Sequence, residues 1–324
     1  MLKYALYHQG KPAIGEGLGY TLPTNGDFLW LFLFKPSEDE LKKIVTDFSL
    51  DLKILRGFSR ATHSTRYSTT PFQFVFVDYF LEKEKIKSSR LLFILDKNLL
   101  IIVSPHHFDY YHQLFNNIVQ ELAFCKNSKN IAHLLYHFLE EDTEENYDVL
   151  EKTEGHIIKI EQEVVRGEKE TNVEEIVNLK RELFHMTRRF WASAKIIFAI
   201  KKGLTPLVLD KDSANRLDDI YHTFQHQLDI ATSQKEMLSD VLDVYSAGIS
   251  NRMAFISNSL NKTMKFLTAL TLIIMIPTLL ASIYGMNFKF IPLADGQYGF
   301  YIILGLMAIS LLATLSYFWR KKWL

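Results

Sequence analysis

A single cysteine, Cys125, stands among the 324 residues. It excludes an intrachain disulfide framework and suits a reducing compartment. Excess charge is also lacking: 37 Lys and Arg balance 37 Asp and Glu, so net charge speaks neither for nor against nucleic acid, and no nucleic-acid partner is expected. The N-terminal stretch MLKYALYHQG lacks the apolar core of a signal peptide. No Walker loop, dinucleotide fingerprint, nucleophile elbow or zinc-protease motif occurs, which argues against an ATP-driven pump or a hydrolase. The expectation is a protein that is not an enzyme and uses no organic cofactor.

Long apolar runs are confined to the C-terminal end. Phe266 to Tyr284 is almost entirely apolar and would span about 28 Å as a helix, close to the hydrocarbon thickness of a bilayer. Gly299 to Trp319 repeats the pattern after a short polar turn, so the two read as a transmembrane hairpin in contact with membrane lipid. Lys262 and Lys265 precede the first span and Arg320, Lys321 and Lys322 follow the second, whereas the connecting loop sets Lys289 against Asp295. The positive-inside bias places both termini in the cytoplasm of a cell bounded by an inner or plasma membrane.

Upstream, Phe28 to Phe34, Phe72 to Phe80 and Leu91 to Val103 read as strands, with a hairpin turn at Asp96-Lys97-Asn98. Ser37 to Val45 carries helix start signals, with Pro36 before it and acids in its first turn. The periodicity turns helical after His107. Glu140, Glu141, Asp142, Glu144 and Glu145 open a charged run that reads as a solvated helical hairpin turning near Gly167 and Thr171-Asn172. His133 and His137, one turn apart, read as helix-surface residues, and His106-His107 carries little information.

A helical period then runs from Asp212 into the first span, on the order of 105 Å if unbroken. Leu217, Ile220, Phe224, Leu228, Ala231, Leu238, Leu242 and Tyr245 make an apolar stripe near the 3.5 spacing, for packing against other helices. A second stripe is polar and includes Asp219, His222, His226, Asp229 and Asp243. His222 and His226 have a spacing that suits zinc, cobalt or nickel, although a solvated polar face is the commoner explanation.

The resulting fold class is an α+β cytoplasmic domain, a mixed sheet with helices, followed by a very long stalk helix and a C-terminal two-helix transmembrane hairpin. The expected segments are 1–130 for the α/β domain, 131–211 for the helical hairpin and 212–265 for the stalk. The first transmembrane helix takes 266–287, an extracytoplasmic loop 288–298, the second transmembrane helix 299–319 and a basic tail 320–324. One hairpin cannot enclose a watery path, so transport would need several copies around an axis. Met264, Leu267 or Thr268, Thr271, Met275, Thr278 and Ser282 recur every three or four residues and would ring such an axis.

Asn261, Met264, Lys265, Leu267 and Thr268 at the entry, Pro277 in mid-helix and Tyr284-Gly285-Met286-Asn287-Phe288 at the exit resemble the CorA family of divalent-cation channels. The resemblance implies a homopentameric funnel that passes Mg²⁺, with cobalt and nickel as further cargo. It implies pore-lining roles for Asn261, Met264, Leu267, Met275 and Thr278, with Gly285, Met286 and Asn287 as the selectivity filter. It also implies that cytoplasmic Mg²⁺ closes the channel at acidic sites between subunits, matched here by Asp219 and, at the bottom of the pore, Asp243. The family's acidic pair before the equivalent of His63 is replaced by Gly57 and Phe58, leaving open whether another acid such as Asp51 substitutes. Two alternatives stay open: a proton-coupled zinc transporter of the ZntB type on the same scaffold, and a non-conducting membrane-anchored coiled-coil scaffold.

Overall fold

The computed structural model describes residues 1–8, 11–24, 26–60, 65–67, 71–82, 85–124, 130–166, 173–287, 291–293 and 296–323. Cys125, His63, the turn expected at Gly167 and Thr171-Asn172, Phe288, Lys289 and Asp295 lie outside the described residues. The chain divides into two compact units, Met1–Asp243 and Val244–Leu324.

In the first unit, β1 (Leu2–His8), β2 (Lys11–Glu16) and β3 (Phe28–Phe34) lead into α1 (Glu38–Phe48) and α2 (Leu52–Gly57). Then come β4 (Thr65–Tyr67), β5 (Phe72–Glu82), β6 (Lys85–Asp96) and β7 (Leu99–Ser104). The seven strands form one sheet in the order β2-β1-β3-β7-β6-β5-β4, antiparallel except for the β3–β7 pair. All seven residues of β3, FLWLFLF, are buried, because both faces of the sheet are covered. Trp30, Phe32 and Phe34 face one cluster, and Leu29, Leu31 and Leu33 the other. That second face is closed by α1 and α2 through Leu41, Ile44 and Leu55. Helix α1 begins with a capping box: Ser37 Oγ accepts from the Glu40 amide, and the Ser37 amide donates to Glu40 Oε2 at 2.7 Å.

The opposite face carries α3 (Asp109–Phe124), α4 (Ile131–Arg166), α5 (Val173–Lys201) and the start of α6 (Lys211–Tyr284). Gly203, at φ 71°, ends α5 in a left-handed step while the Leu204 amide reaches back to the Ala199 carbonyl. Asp210 starts α6 by accepting from the Ser213 amide at 2.7 Å. The expected apolar stripe of α6 does the packing: Leu217, Ile220, Phe224, Ala231 and Leu238 are buried in the large cluster. Gln227 and Gln234, one heptad apart, insert into the same seam and donate to the Thr143 and Leu150 carbonyls of α4 at 2.6 and 2.9 Å.

Two surface expectations fail here. His133 and His137 are buried rather than exposed, because α4 is clasped by α6 and α3. His133 Nε2 lies 3.4 Å from Asp212, and His137 Nδ1 lies 3.1 Å from Glu121. Asp142, in the middle of the charged run, is also buried, paired with Arg189 of α5.

The second unit holds the rest of α6 and α7 (Gly299–Arg320). Its small apolar cluster is Ala269, Ile273 and Phe318, with Leu272 and Trp323 beside it.

Candidate functional site

The segment Asn261 to Asn287 is built on α6 and its exit. Both α6 and α7 contain stretches long and apolar enough to cross a membrane. Helix α7 is packed on one side of α6, through Ala269 and Ile273. At roughly 100° per residue, those two positions lie about 160° and 200° round from Thr271, that is, on the opposite side. Asn261, Met264, Leu267, Thr271, Met275, Thr278 and Ser282 are all exposed along that other side. Thr271, Ile274, Met275, Thr278, Leu279 and Ser282 line a shallow open groove there, all six exposed apolar or hydroxyl groups spaced by one turn or less from the next.

The hydroxyls of Thr271 and Thr278 donate back to the Leu267 and Ile274 carbonyls, each at 2.8 Å. Their hydrogens are therefore committed to the helix, and the oxygens present lone pairs outward. Pro277 has no amide hydrogen, so the Ile273 carbonyl loses its usual helical donor. The helix continues through the proline to Tyr284.

At the exit the Gly285 amide still donates to the Ala281 carbonyl at 2.9 Å, and the chain then leaves the helix over Met286 and Asn287. A side chain at Gly285 would meet the Ala281 carbonyl oxygen at 3.2 Å, so glycine provides room for a tight final turn rather than a left-handed φ. Met286 and Asn287 are exposed.

In the first unit, α6 presents Asp219, His222, His226, Asp229 and Asp243 to the surface, as the spacing predicts. His226 Nδ1 lies 2.9 Å from the Tyr147 hydroxyl, and His222 Nε2 lies 3.7 Å from Asp218. Among the described residues of one chain, no three His, Cys, Asp or Glu side chains gather to hold a metal ion. Asp51 is engaged otherwise, since its side chain caps α2 by accepting from the Lys53 amide at 2.8 Å. Phe58 is buried.

Sequence reasoning missed a buried polar cluster behind the sheet. Arg189 donates to both oxygens of Asp142 at 2.7 Å, to the Val77 carbonyl at 2.5 Å and to Asn146 Oδ1. Asp78 lies beside them at 3.9 Å from the guanidinium. One cation thus faces two carboxyls. Burial, reinforced by the neighbouring Asp142, pushes the Asp78 carboxyl well above the ordinary carboxylate range. The signal was an aspartate in the otherwise apolar run Phe74 to Phe80.

The CorA-like Mg2+ transporter protein family model matches residues 25–322. The chain is 23% identical over 297 residues to the cobalt/magnesium transport protein CorA of Methanocaldococcus jannaschii, covering 91% of each protein. It is 29% identical over 242 residues to the cobalt/magnesium transport protein CorA of Thermotoga maritima, covering 74% of this chain and 66% of that one. The complete structure of the CorA magnesium transporter from Methanocaldococcus jannaschii superposes with a TM-score of 0.72 at 19% identity, covering 100% of this chain and 99% of the other, which establishes a shared fold. With the family model spanning nearly the whole chain and the fold shared from end to end, this protein belongs to the CorA-like Mg²⁺ transporter family.

Proposed function

We propose that copies of this chain assemble as a homopentamer in a cytoplasmic membrane and conduct Mg²⁺ inward, with Co²⁺ and Ni²⁺ as further cargo. The observation that carries this reading is the two-sidedness of the first span: α7 covers Ala269 and Ile273, while the Thr271, Met275 and Thr278 line on the other side is left uncovered. Copies placed around an axis turn that line into stacked rings. Both termini lie on the cytoplasmic side, as the basic residues flanking the two spans indicate.

Mg²⁺ holds its octahedral water shell tightly, so a filter for it works on the hydrated ion. A ring of Asn287 amides at the outer mouth offers neutral donors and acceptors to those waters, and no acid within the first span would trap the ion. Rings of Met264 and Leu267 make apolar constrictions that close by dewetting. On the cytoplasmic side, Asp219 and Asp243 present carboxylates whose mutual repulsion across neighbouring copies is relieved by bound Mg²⁺, which links the closed state to cytoplasmic Mg²⁺.

The test is ion flux into proteoliposomes under a negative-inside potential, with Mg²⁺ and Zn²⁺ in parallel and an internal pH probe. Mg²⁺ entry without proton movement, lost in Asn287→Ala, is expected. Zn²⁺ entry accompanied by acidification would replace this reading with proton-coupled zinc transport, and no flux of either ion would leave a membrane-anchored scaffold.

A further inference from the structure

Two exposed helix faces of the Met1–Asp243 unit carry opposite charge. On α5, Val177, Phe184, Trp191 and Phe198 stand one heptad apart and are 42%, 48%, 56% and 46% exposed. Each is followed four residues later by a cation: Arg181, Arg188, Lys195 and, just past the helix end, Lys202. These cations lie along the aromatic rings. Lys195 Nζ is 4.2 Å from the Trp191 ring centre, Lys202 Nζ 5.3 Å from Phe198 and the Arg188 guanidinium 5.8 Å from Phe184. From Val177 to Lys202 neither row holds an acid; Glu174 precedes them, one heptad before Arg181.

The exposed face of α6 has the same alternating step of three and four with the opposite sign. One heptad row is Asp219, His226, Ser233 and Asp240; the other is His222, Asp229, Glu236 and Asp243. It contains five carboxylates and no lysine or arginine. The α5 face is not an ordinary solvated surface: a tryptophan more than half exposed on a heptad seam is a helix-packing signature.

Within one chain α5 and α6 touch mostly through residues outside these two faces, Phe198 at the end of the α5 face being shared with the seam. Phe190 meets Phe224, Phe198 meets Tyr221 and Lys201 pairs with Asp218. These contacts make the two helices antiparallel and bring Lys202 within about one turn of the level of Asp219. A rotation about an axis along the helices preserves that level while moving to the next copy. We propose that the aromatic and basic face of α5 in one copy docks on the acidic face of α6 in the next, with Lys202 opposite the neighbour's Asp219, in a head-to-tail contact that closes into a ring.

The occupant is thus a second copy of this chain, chosen by charge sign and matching heptad step. The inference rests on the ring assembly of the proposed function and adds what holds it together outside the membrane. It also assigns Asp219 a partner where Gly57 and Phe58 supply no acid: a divalent cation reaching Asp219 has to displace a lysine, and the repulsion that Mg²⁺ relieves then falls mainly to Asp243.

The test uses two full-length chains with different tags, co-expressed in a Cys125→Ser background. One carries Lys202→Cys and the other Asp219→Cys, and the control replaces Asp219→Cys with Gln225→Cys, an exposed position on another face of α6. Mild oxidation is expected to give a disulfide-linked heterodimer in the first pair and not in the control. Native mass spectrometry of the same samples reports the oligomer independently. A pentamer without the first cross-link, or with equal cross-linking in both pairs, overturns the docking and leaves the channel reading standing; absence of any oligomer overturns both. As a second variant, Lys202→Glu is expected to shift the mass spectrum towards smaller species at low ionic strength, and adding Asp219→Lys to restore it; no shift, or no restoration, counts against the contact.

Discussion

The two units of this chain treat exposure in opposite ways. In Met1–Asp243, apolar side chains fill two clusters on either side of the sheet, and polar groups drawn inside such as Arg189, Asp142, Asn146 and Thr153 are tied to partners. Among the described residues of Val244–Leu324 only Ala269, Ile273 and Phe318 are buried side chains of the apolar cluster, and just 11% and 6% of the apolar windows of α6 and α7 are covered. A single helix, α6, belongs to both regimes. Its residues 211–243 have one buried apolar stripe and one exposed polar stripe, whereas after Val244 its exposed residues are largely apolar. The lesson is that the surroundings change along one helix: water and protein for the first part, lipid for the second, joined in the assembly proposed above by other copies of the chain.

The largest expected effect probes the first unit's rule that buried polarity needs a partner. Arg189→Ala strands Asp142 beside Asp78 without a cation and should cost about 3–5 kcal/mol, read as a lowered unfolding midpoint of the purified protein. An unchanged midpoint would mean that the cluster is hydrated and contributes little.

The sharpest test of the contrast substitutes lysine at two residues of similar exposure, Ile309 at 66% and Val208 at 75%. At Ile309 the charge must enter hydrocarbon, with an insertion cost of roughly 2.5–3.5 kcal/mol; at Val208, in water, the change should stay within about 0.5 kcal/mol. Measured membrane-inserted yield and thermal stability should separate the two, and equal effects would erase the distinction.

A smaller effect follows from Asp78. Its raised carboxyl keeps a proton in the folded state at pH values where the unfolded chain has released it, so the folded state binds more protons. Stability therefore falls as pH rises from the ordinary carboxylate range towards the raised value, with a limiting slope of about 1.4 kcal/mol per pH unit. Asp78→Asn should flatten that slope in denaturation curves taken between pH 4 and 8, a window set by the carboxylate reference value of ~3.9. The smallest effect is expected at Gln227, whose Oε1 has no hydrogen-bond partner. Gln227→Leu removes a bond to the Thr143 carbonyl but also an unpaired acceptor, so its stability change should stay within about 1 kcal/mol by the same unfolding measurement.

What could be read from the sequence was what depends on neighbours in the chain. The β3 run, the Ser37 start of α1, the β6–β7 turn and the two stripes of α6 are all set by local pattern, and each was legible. The exposed line from Met264 to Thr278 was legible for the same reason. His133, His137 and Asp142 were not, because their burial depends on partners such as Ser213 and Arg189 far along the chain. A charged run on a helix gives the same pattern whether one member turns inward or not. The heptad of aromatics and cations on α5 was hidden differently: alternating large apolar and basic residues look like an ordinary amphipathic helix until the structure shows the aromatics on the outside.

The most direct test of the account is water accessibility along the first span. In a Cys125→Ser background, Thr271→Cys and Thr278→Cys would be exposed in membranes to a membrane-impermeant thiol reagent, alongside Ile309→Cys on α7. Modification at Thr271→Cys and Thr278→Cys, slowed by added Mg²⁺, with none at Ile309→Cys, is the predicted result. Protection of both threonine positions, or equal labelling at all three, would contradict a pore lined by this face of α6.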